Sequence, residues 1–184
     1  LDIYDGKEIV LPPNYNQTKT NEYIKLNWPE WVKDQRYSWH GVDYMYHQDI
    51  NIHELVSDYC ETLMGVDDSI GSVLDYLKNS NLSNNSLMIY MGDNGFSWGE
   101  HGLIDKRHFY EESARVPLLI RYPNAIDGGQ VNKSLITNTD IAPTILEYAK
   151  AEIPDHFVGY SAKPTFNQKE IFVLRDVLFY EYYW

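Results

Sequence analysis

Apolar and polar positions follow three patterns along the chain. From Asn51 to Lys78, the residues Leu55, Tyr59, Leu63, Val66, Ile70, Val73, Leu74 and Leu77 recur at helical spacing. That spacing predicts one long helix with an apolar stripe, capped by Asp49 or Asn51. Gly65 and Gly71 suggest close packing within it, and Cys60 reads as a small buried or half-buried side chain. Two short unbroken apolar runs follow, Leu87–Met91 and Val116–Tyr122. Such runs predict strands buried on both faces, as in parallel sheets covered by helices. Pro117 lies near the start of the second run, where a missing donor is tolerated. Thr139–Ala149 carries a cap, an early proline and an apolar face, which predict a helix.

The third pattern is polar and turn-rich. It covers Asn79–Asn85, the glycine-rich stretch Gly92–Gly102 and Asn124–Gly129. After Pro154 the chain loosens, and Phe179–Trp184 reads as a strand cut short. Residues 1–48 are expected to be irregular. There Leu11-Pro12-Pro13-Asn14 forms a turn or extended segment, and Trp28-Pro29-Glu30-Trp31 opens a short helix. Trp28, Trp31, Tyr37, Trp39, Tyr44 and Tyr46 read as an aromatic loop over a core, ahead of a sugar-stacking surface. Strand and helix alternate without an internal repeat, so the fold class is α/β. The 184 residues suit about one domain, with the metal-site α/β core at 49–155 and the start of a C-terminal region at 156–184.

Composition narrows the function classes. Hydrophobic residues make up 43%, enough for a core, and no long polar tract suggests disorder. A net charge of −12 argues against a nucleic-acid partner, because phosphate binding needs a positive face. It does not exclude an anionic substrate, since exposed charges beyond about 8 Å are largely screened at physiological salt. Cys60 is the single cysteine, so no internal disulfide exists and the redox compartment is not legible. No apolar run approaches a bilayer span, and no signal peptide is visible. Both ends read as arbitrary boundaries, so targeting information is expected outside them. The sequons at Asn16, Asn81, Asn84 and Asn132 suit chance in a chain this rich in Asn, Ser and Thr.

The chemistry concentrates between Met91 and Arg107. Asp93 and Asn94 directly follow a predicted strand, and ligands in open α/β sheets bind beyond the carboxyl ends of strands. A carboxylate beside an amide carbonyl offers two hard oxygens, which suit Ca²⁺ better than a transition metal. Taken alone, Asp93-Asn94-Gly95 reads first as a turn that ends a strand. The segment then keeps glycines at 95, 99 and 102 and supplies Lys106 thirteen positions after Asp93. A loop of that length can fold back and set an ammonium against an anionic oxygen. The plainer alternative is a solvated surface lysine. His101 either faces a substrate or holds the loop. Arg107 and His108 are candidate rim residues, while Glu111, Glu112 and Arg115 are expected to hold the loop through ion pairs. His40, His47, His53 and His156 stand outside any motif and read as structural or exposed.

Asp93-Asn94-Gly95, Gly99-Glu100-His101-Gly102, Asp105-Lys106-Arg107, Tyr110-Glu111-Glu112-Ser113 and Arg115–Leu119 resemble, in order, the type I sulfatase family of the alkaline phosphatase superfamily. Val66–Gly71 with Leu74–Leu77 is similar to the helix before the metal strand in that family. Asn138–Thr144 is similar to a later hallmark, and Ile9–Asn14 to the loop past an active-site histidine. The resemblance implies part of an alkaline-phosphatase-like mixed sheet flanked by helices, truncated at both ends. It implies Asp93 and Asn94 as Ca²⁺ ligands, with Lys106 contacting the substrate sulfate and His101 a further catalytic or substrate-binding candidate. The variant is most similar to carbohydrate sulfatases of the N-acetylglucosamine-6-sulfatase-like group. A sulfated small molecule or glycan is then the partner, in an extracellular, periplasmic or lysosomal compartment.

The resemblance also implies a formylglycine nucleophile, made from Cys or Ser in a Cys/Ser-x-Pro-x-Arg motif that this sequence lacks. Cys60 precedes Glu61-Thr62-Leu63 and cannot stand in for it. The remaining calcium ligands are likewise expected upstream of Leu1, so the chain alone is expected to bind calcium poorly and turn over nothing. Two alternatives stay open. A phosphodiesterase or phosphonate hydrolase of the same superfamily shares the scaffold but often has His where Asn94 stands. A non-catalytic relative would recognise sulfated glycans through Lys106 and the aromatic segment.

Overall fold

Asn51 starts the long helix. Its side-chain oxygen accepts the His53 backbone N–H at 3.0 Å, satisfying a donor that the first turn leaves open. Helix α1 then runs Ile52–Asn79, with Glu54 in its first turn and Lys78 in its last, both favourable to the helix dipole. The expected packing at its glycines is not found, since a Cβ at Gly65 or Gly71 would meet nothing within 4 Å. The apolar stripe is partly open as well, with Tyr59, Leu63, Val66, Val73 and Leu74 all exposed. Cys60 is half-buried, as its helical setting suggests.

The computed structural model describes residues 4, 7–15, 30, 51–107, 109–167 and 173–181. Of the expected Trp28–Trp31 helix only Glu30, which is helical, falls among them, and the aromatic cluster through Tyr46, His40, His47 and His108 lie outside them. The chain divides into two units, Leu1–Val73 with Asn94–Val116, and Leu74–Asp93 with Pro117–Trp184.

In the second unit, β1 (Met88–Met91) pairs with β4 (Leu118–Arg121). The pairing is antiparallel, from Met88 opposite Arg121 to Met91 opposite Leu118, which corrects the expected parallel arrangement. Burial on both faces is corrected too. Tyr90 and Leu119 are direct partners and therefore share a face, and both are exposed. An unbroken apolar run cannot report which of its faces is covered. Arg121 extends the ribbon by donating to the Ser83 carbonyl at 2.8 Å.

Helix α3 (Ile141–Tyr148) follows directly on a 3-10 turn at Asn138–Asp140, and together they cover the helix expected from Thr139. Thr137 is the cap, and Asp140 closes a capping box by accepting the Thr137 backbone N–H at 2.7 Å. The core of this unit is polar as well as apolar. Asp140, Pro143, Thr144, Ala162 and Thr165 are all buried. Asp140 also accepts the Tyr160 N–H at 2.8 Å and both terminal nitrogens of Arg175. The Thr144 hydroxyl donates to the Asp140 carbonyl at 2.6 Å and accepts the Ala162 N–H at 2.8 Å. The strand expected from Phe179 is absent over 179–181, because that stretch has no ladder partner among the described residues.

Candidate functional site

The glycine-rich segment of the first unit folds into a small hairpin that doubles back on its own start. Strand β2 (Ser97–Trp98) pairs antiparallel with β3 (Ile104–Asp105), and Gly99 to Leu103 closes the end. Gly99 has φ +104°, a region open to glycine at little cost, and a Cβ there would overlap the Tyr15 ring. Leu103 and Ile104 anchor the hairpin, each 1% exposed. Trp98 packs against Phe96 and Tyr59, with ring centroids 4.6 and 4.4 Å away. The register sets Asp105 opposite Ser97, so the chain entering Lys106 returns to within a few residues of Asn94.

Asp105 is the hairpin's internal anchor. It is 2% exposed with φ +100°, where a side chain is strained, and its carboxylate meets that cost by bonding locally. One oxygen accepts the Lys106 N–H at 2.7 Å and the other pairs with the Arg107 guanidinium. Arg107 thus pairs with a buried carboxylate while its own side chain stays 31% exposed. Lys106, between them, is exposed.

Tyr110 precedes a short helix, α2 (Glu111–Ala114), which brings the chain back beside the start of the loop. The Gly95 N–H donates to the Ser113 carbonyl at 2.8 Å, and a Cβ on Gly95 would overlap the Glu112 carbonyl oxygen. Only a glycine lets the Asn94–Gly95 turn lie against this backbone. The Asn94 side-chain nitrogen donates to the Gly95 carbonyl at 2.9 Å. Ser97 and Ser113 are both buried, and their hydroxyls have no hydrogen-bond partner among the described residues.

His101 is gathered into the same cluster. It sits in the left-handed region at φ 57°, where His is several-fold enriched among non-glycine residues. Its ring stacks on Tyr110 at 3.9 Å and 14°. Its Nε2 lies 3.5 Å from a Glu112 carboxylate oxygen and 3.5 Å from the Asn14 side-chain nitrogen. Burial pushes the Tyr110 phenol above its usual pKa, and the Glu112 charge adds to the rise. The Pro12–Tyr15 turn, closed by Tyr15 N–H to the Pro12 carbonyl at 3.0 Å, therefore packs on both Gly99 and His101. Arg115 and Glu111, expected to brace the loop, pair at 3.8 Å while more than three-quarters exposed, which gives little stability.

Asp93 ends the β1 segment of the second unit and Asn94 opens the loop segment of the first. The Asp93 backbone is held by Asn138, whose side-chain nitrogen donates to its carbonyl at 2.8 Å. The predicted motifs thus gain supports that pattern reading did not name as such: Asn14, Tyr110 and Glu112 around His101, and Asn138 behind Asp93. Each lay inside a recognisable motif, but only folding shows the contact. Among the described residues, no group of three or more His, Cys, Asp or Glu stands together as a metal cluster. No helix there is long and apolar enough to cross a membrane.

Residues 99–184 match the family model for N-sulphoglucosamine sulphohydrolase, C-terminal. The N-acetylglucosamine-6-O-sulfatase of Bacteroides thetaiotaomicron is 40% identical over 132 residues, 71% of this chain and 24% of that protein. Another protein, solved in complex with that protein's own substrate D-glucosamine-2-N,6-O-disulfate, aligns at TM-score 0.61 and 32% identity, covering 90% of this chain and 36% of the other. The chain belongs to the sulfatase family. This sulfatase-family chain also aligns with a phosphonate monoester hydrolase from Silicibacter pomeroyi, at TM-score 0.72 and 25% identity, covering 89% of this chain and 33% of that one. The fold is therefore the mixed α/β arrangement of the alkaline phosphatase superfamily. The sulfatase chain spans about a quarter of the length of its bacterial relative.

Proposed function

We propose that this chain supplies part of the metal and sulfate site of a carbohydrate sulfatase that removes sulfate from a sulfated amino sugar. The observation that carries the reading is the 40% identity to an N-acetylglucosamine-6-O-sulfatase across 71% of the chain. Asp93 and Asn94 would hold Ca²⁺ with a carboxylate and an amide oxygen. They fit a hard cation in kind and supply two of the six to eight oxygens it takes. Bound Ca²⁺ supplies Lewis-acid polarisation of the sulfate oxygens.

Lys106 places a compact positive charge against those oxygens and steadies the charge that builds as the ester bond breaks. His101 contacts the saccharide. The formylglycine nucleophile has no motif in these 184 residues, and the proposal assigns it to sequence outside them. The working compartment is then extracellular, periplasmic or lysosomal.

The test is desulfation of N-acetylglucosamine 6-sulfate by the whole protein, with and without a calcium chelator. Activity should vanish with the chelator and return with Ca²⁺. Lys106→Ala should cut kcat by about 10²–10³-fold, comparable to losing one transition-state donor. A protein that cleaves a phosphonate monoester faster than the sulfate ester belongs to the hydrolase reading favoured by the Silicibacter pomeroyi fold match.

A further inference from the structure

Two neighbours ask opposite things of one ring nitrogen. Glu112 Oε2 and Asn14 Nδ2 each lie 3.5 Å from His101 Nε2. A carboxylate only accepts, so it needs Nε2 protonated. The Asn14 nitrogen only donates, so it needs Nε2 bare. The Asn14 contact is a hydrogen bond and the Glu112 contact an ion-pair approach, but the carboxylate charge favours a proton on the nitrogen it faces, so Glu112 decides the tautomer. A neutral imidazole protonated at Nε2 keeps its lone pair on Nδ1. That atom has no hydrogen-bond partner among the described residues, and the His101 side chain is 27% exposed.

The ring is also fixed in plane. Tyr110 stacks on it at 3.9 Å, and the left-handed backbone at His101 sets the direction from which the ring leaves the chain. Glu112 is in turn held in place, because its backbone abuts Gly95 and the neighbouring Ser113 carbonyl accepts the Gly95 N–H. The carboxylate that selects the tautomer is thus seated on the turn that carries Asn94.

We infer that Glu112 is a positioning residue that holds His101 as the Nε2-protonated tautomer and presents Nδ1 as an acceptor for a hydroxyl or N–H group of the saccharide. The identity of that ligand rests on the sulfatase reading, whereas the tautomer does not. Glu112 touches no substrate in this account and acts through the imidazole. Its pairing with His101 differs in kind from the exposed Glu111–Arg115 pair beside it.

The test uses nitrogen-15 histidine NMR on the whole protein, with the His101 signals assigned by their loss in His101→Gln. The wild type should show a protonated Nε2 and a bare Nδ1. Glu112→Leu should move the ring toward the Nδ1-protonated form, with Asn14 then donating to Nε2. Glu112→Gln retains an acceptor oxygen and should keep the wild-type tautomer. Asn14→Ala should keep it as well, and serves if Glu112→Leu fails to fold. An unchanged tautomer in folded Glu112→Leu, or a switched one in Asn14→Ala, overturns the inference.

Kinetics add the ligand. Glu112→Leu should raise KM for the sulfated sugar about tenfold, the effect of one lost hydrogen bond, and leave hydrolysis of a sugar-free aryl sulfate nearly unchanged. An equal loss on both substrates overturns the saccharide contact. A wild type without sulfatase activity overturns the functional reading alone, because the NMR result stands apart from turnover.

Discussion

Two acidic centres, the buried Asp140 and the half-buried Glu112–His101 cluster, show how differently one chain treats its polar groups. Asp140 is fully buried and saturated. It accepts the Thr137 N–H and hydroxyl, the Tyr160 N–H and both terminal nitrogens of Arg175. The Glu112–His101 pair is looser, at 3.5 Å, with both side chains more than a quarter exposed. The same unit holds two buried hydroxyls without partners among the described residues, on Ser97 and Ser113, and the positive-φ residues His101 and Asp105, although the second unit has positive-φ residues of its own at Asn81, Lys150 and Asn167. Saturated polar groups make a scaffold, because every lone pair is already used. Strained and under-satisfied groups persist where the surroundings over-determine them, which is the usual signature of a site.

The strongest way to break the contrast is to remove its saturated member. Asp140→Ala strands the Arg175 guanidinium and two backbone donors, at a cost of about 3–5 kcal/mol. Urea unfolding should show that loss, and the Tyr160 and Ala162 amides should lose hydrogen-exchange protection first. Loss of protection around Gly95 before Tyr160 would mean that Asp140 is not the centre of its own unit.

Acid should act on the same centre. Burial alone would raise the Asp140 pKa, but the Arg175 guanidinium and the Thr137 and Tyr160 N–H groups hold it below the ordinary 3.8. A depressed folded-state pKa gives stability that is present above 3.8 and is lost as pH falls through the lower folded value. Unfolding midpoints should therefore be flat in this contribution at neutral pH and drop below about pH 4. Asp140→Asn should flatten that acid limb. An unchanged limb would transfer the acid sensitivity to other carboxylates.

A pair of glycines sharpens the comparison at smaller scale. A Cβ on Gly95 would overlap the Glu112 carbonyl, and one on Gly159 would overlap the Thr139 carbonyl. Both Gly→Ala changes should cost about 1–3 kcal/mol through forced backbone shifts. Only Gly95→Ala should also reduce desulfation, because only it displaces the turn carrying Asn94. Equal activity losses at the two positions would show that stability alone limits the reaction.

What could be read beforehand follows the same division. Helix α1 was legible because apolar spacing kept over 28 residues, about eight turns, cannot be accidental, and α3 because Pro143 and its apolar face agree. The direction of β1 and β4 was not, since continuous apolar runs suit either pairing and only the register shows Tyr90 opposite Leu119. Gly65 and Gly71 misled because glycine has more than one use, and no described residue comes within 4 Å of a Cβ at either. At the site, Asp93, Asn94, Lys106 and His101 stood out through motif order. Asn14 did not, because a contact across 87 positions leaves no trace in local spacing. The Arg107–Asp105 pair was not legible either, because a sequence cannot show that Asp105 turns inward.

The smallest expected effects fall on the two unpartnered hydroxyls, and they bear most directly on why the regions differ. A buried hydroxyl without a partner carries a desolvation cost of about 1–3 kcal/mol, so removing it should not destabilise the fold. Ser97→Ala and Ser113→Ala should each leave the unfolding midpoint unchanged or slightly raised. Thr144→Val, which removes a hydroxyl that both donates and accepts, should lower it. If desulfation falls in Ser113→Ala while stability holds, the hydroxyl acts on the turn it shares with Gly95 and its lack of a partner is functional. If stability falls instead, the hydroxyl is bonded in solution, and the contrast between the saturated and under-satisfied regions narrows to His101 and Asp105.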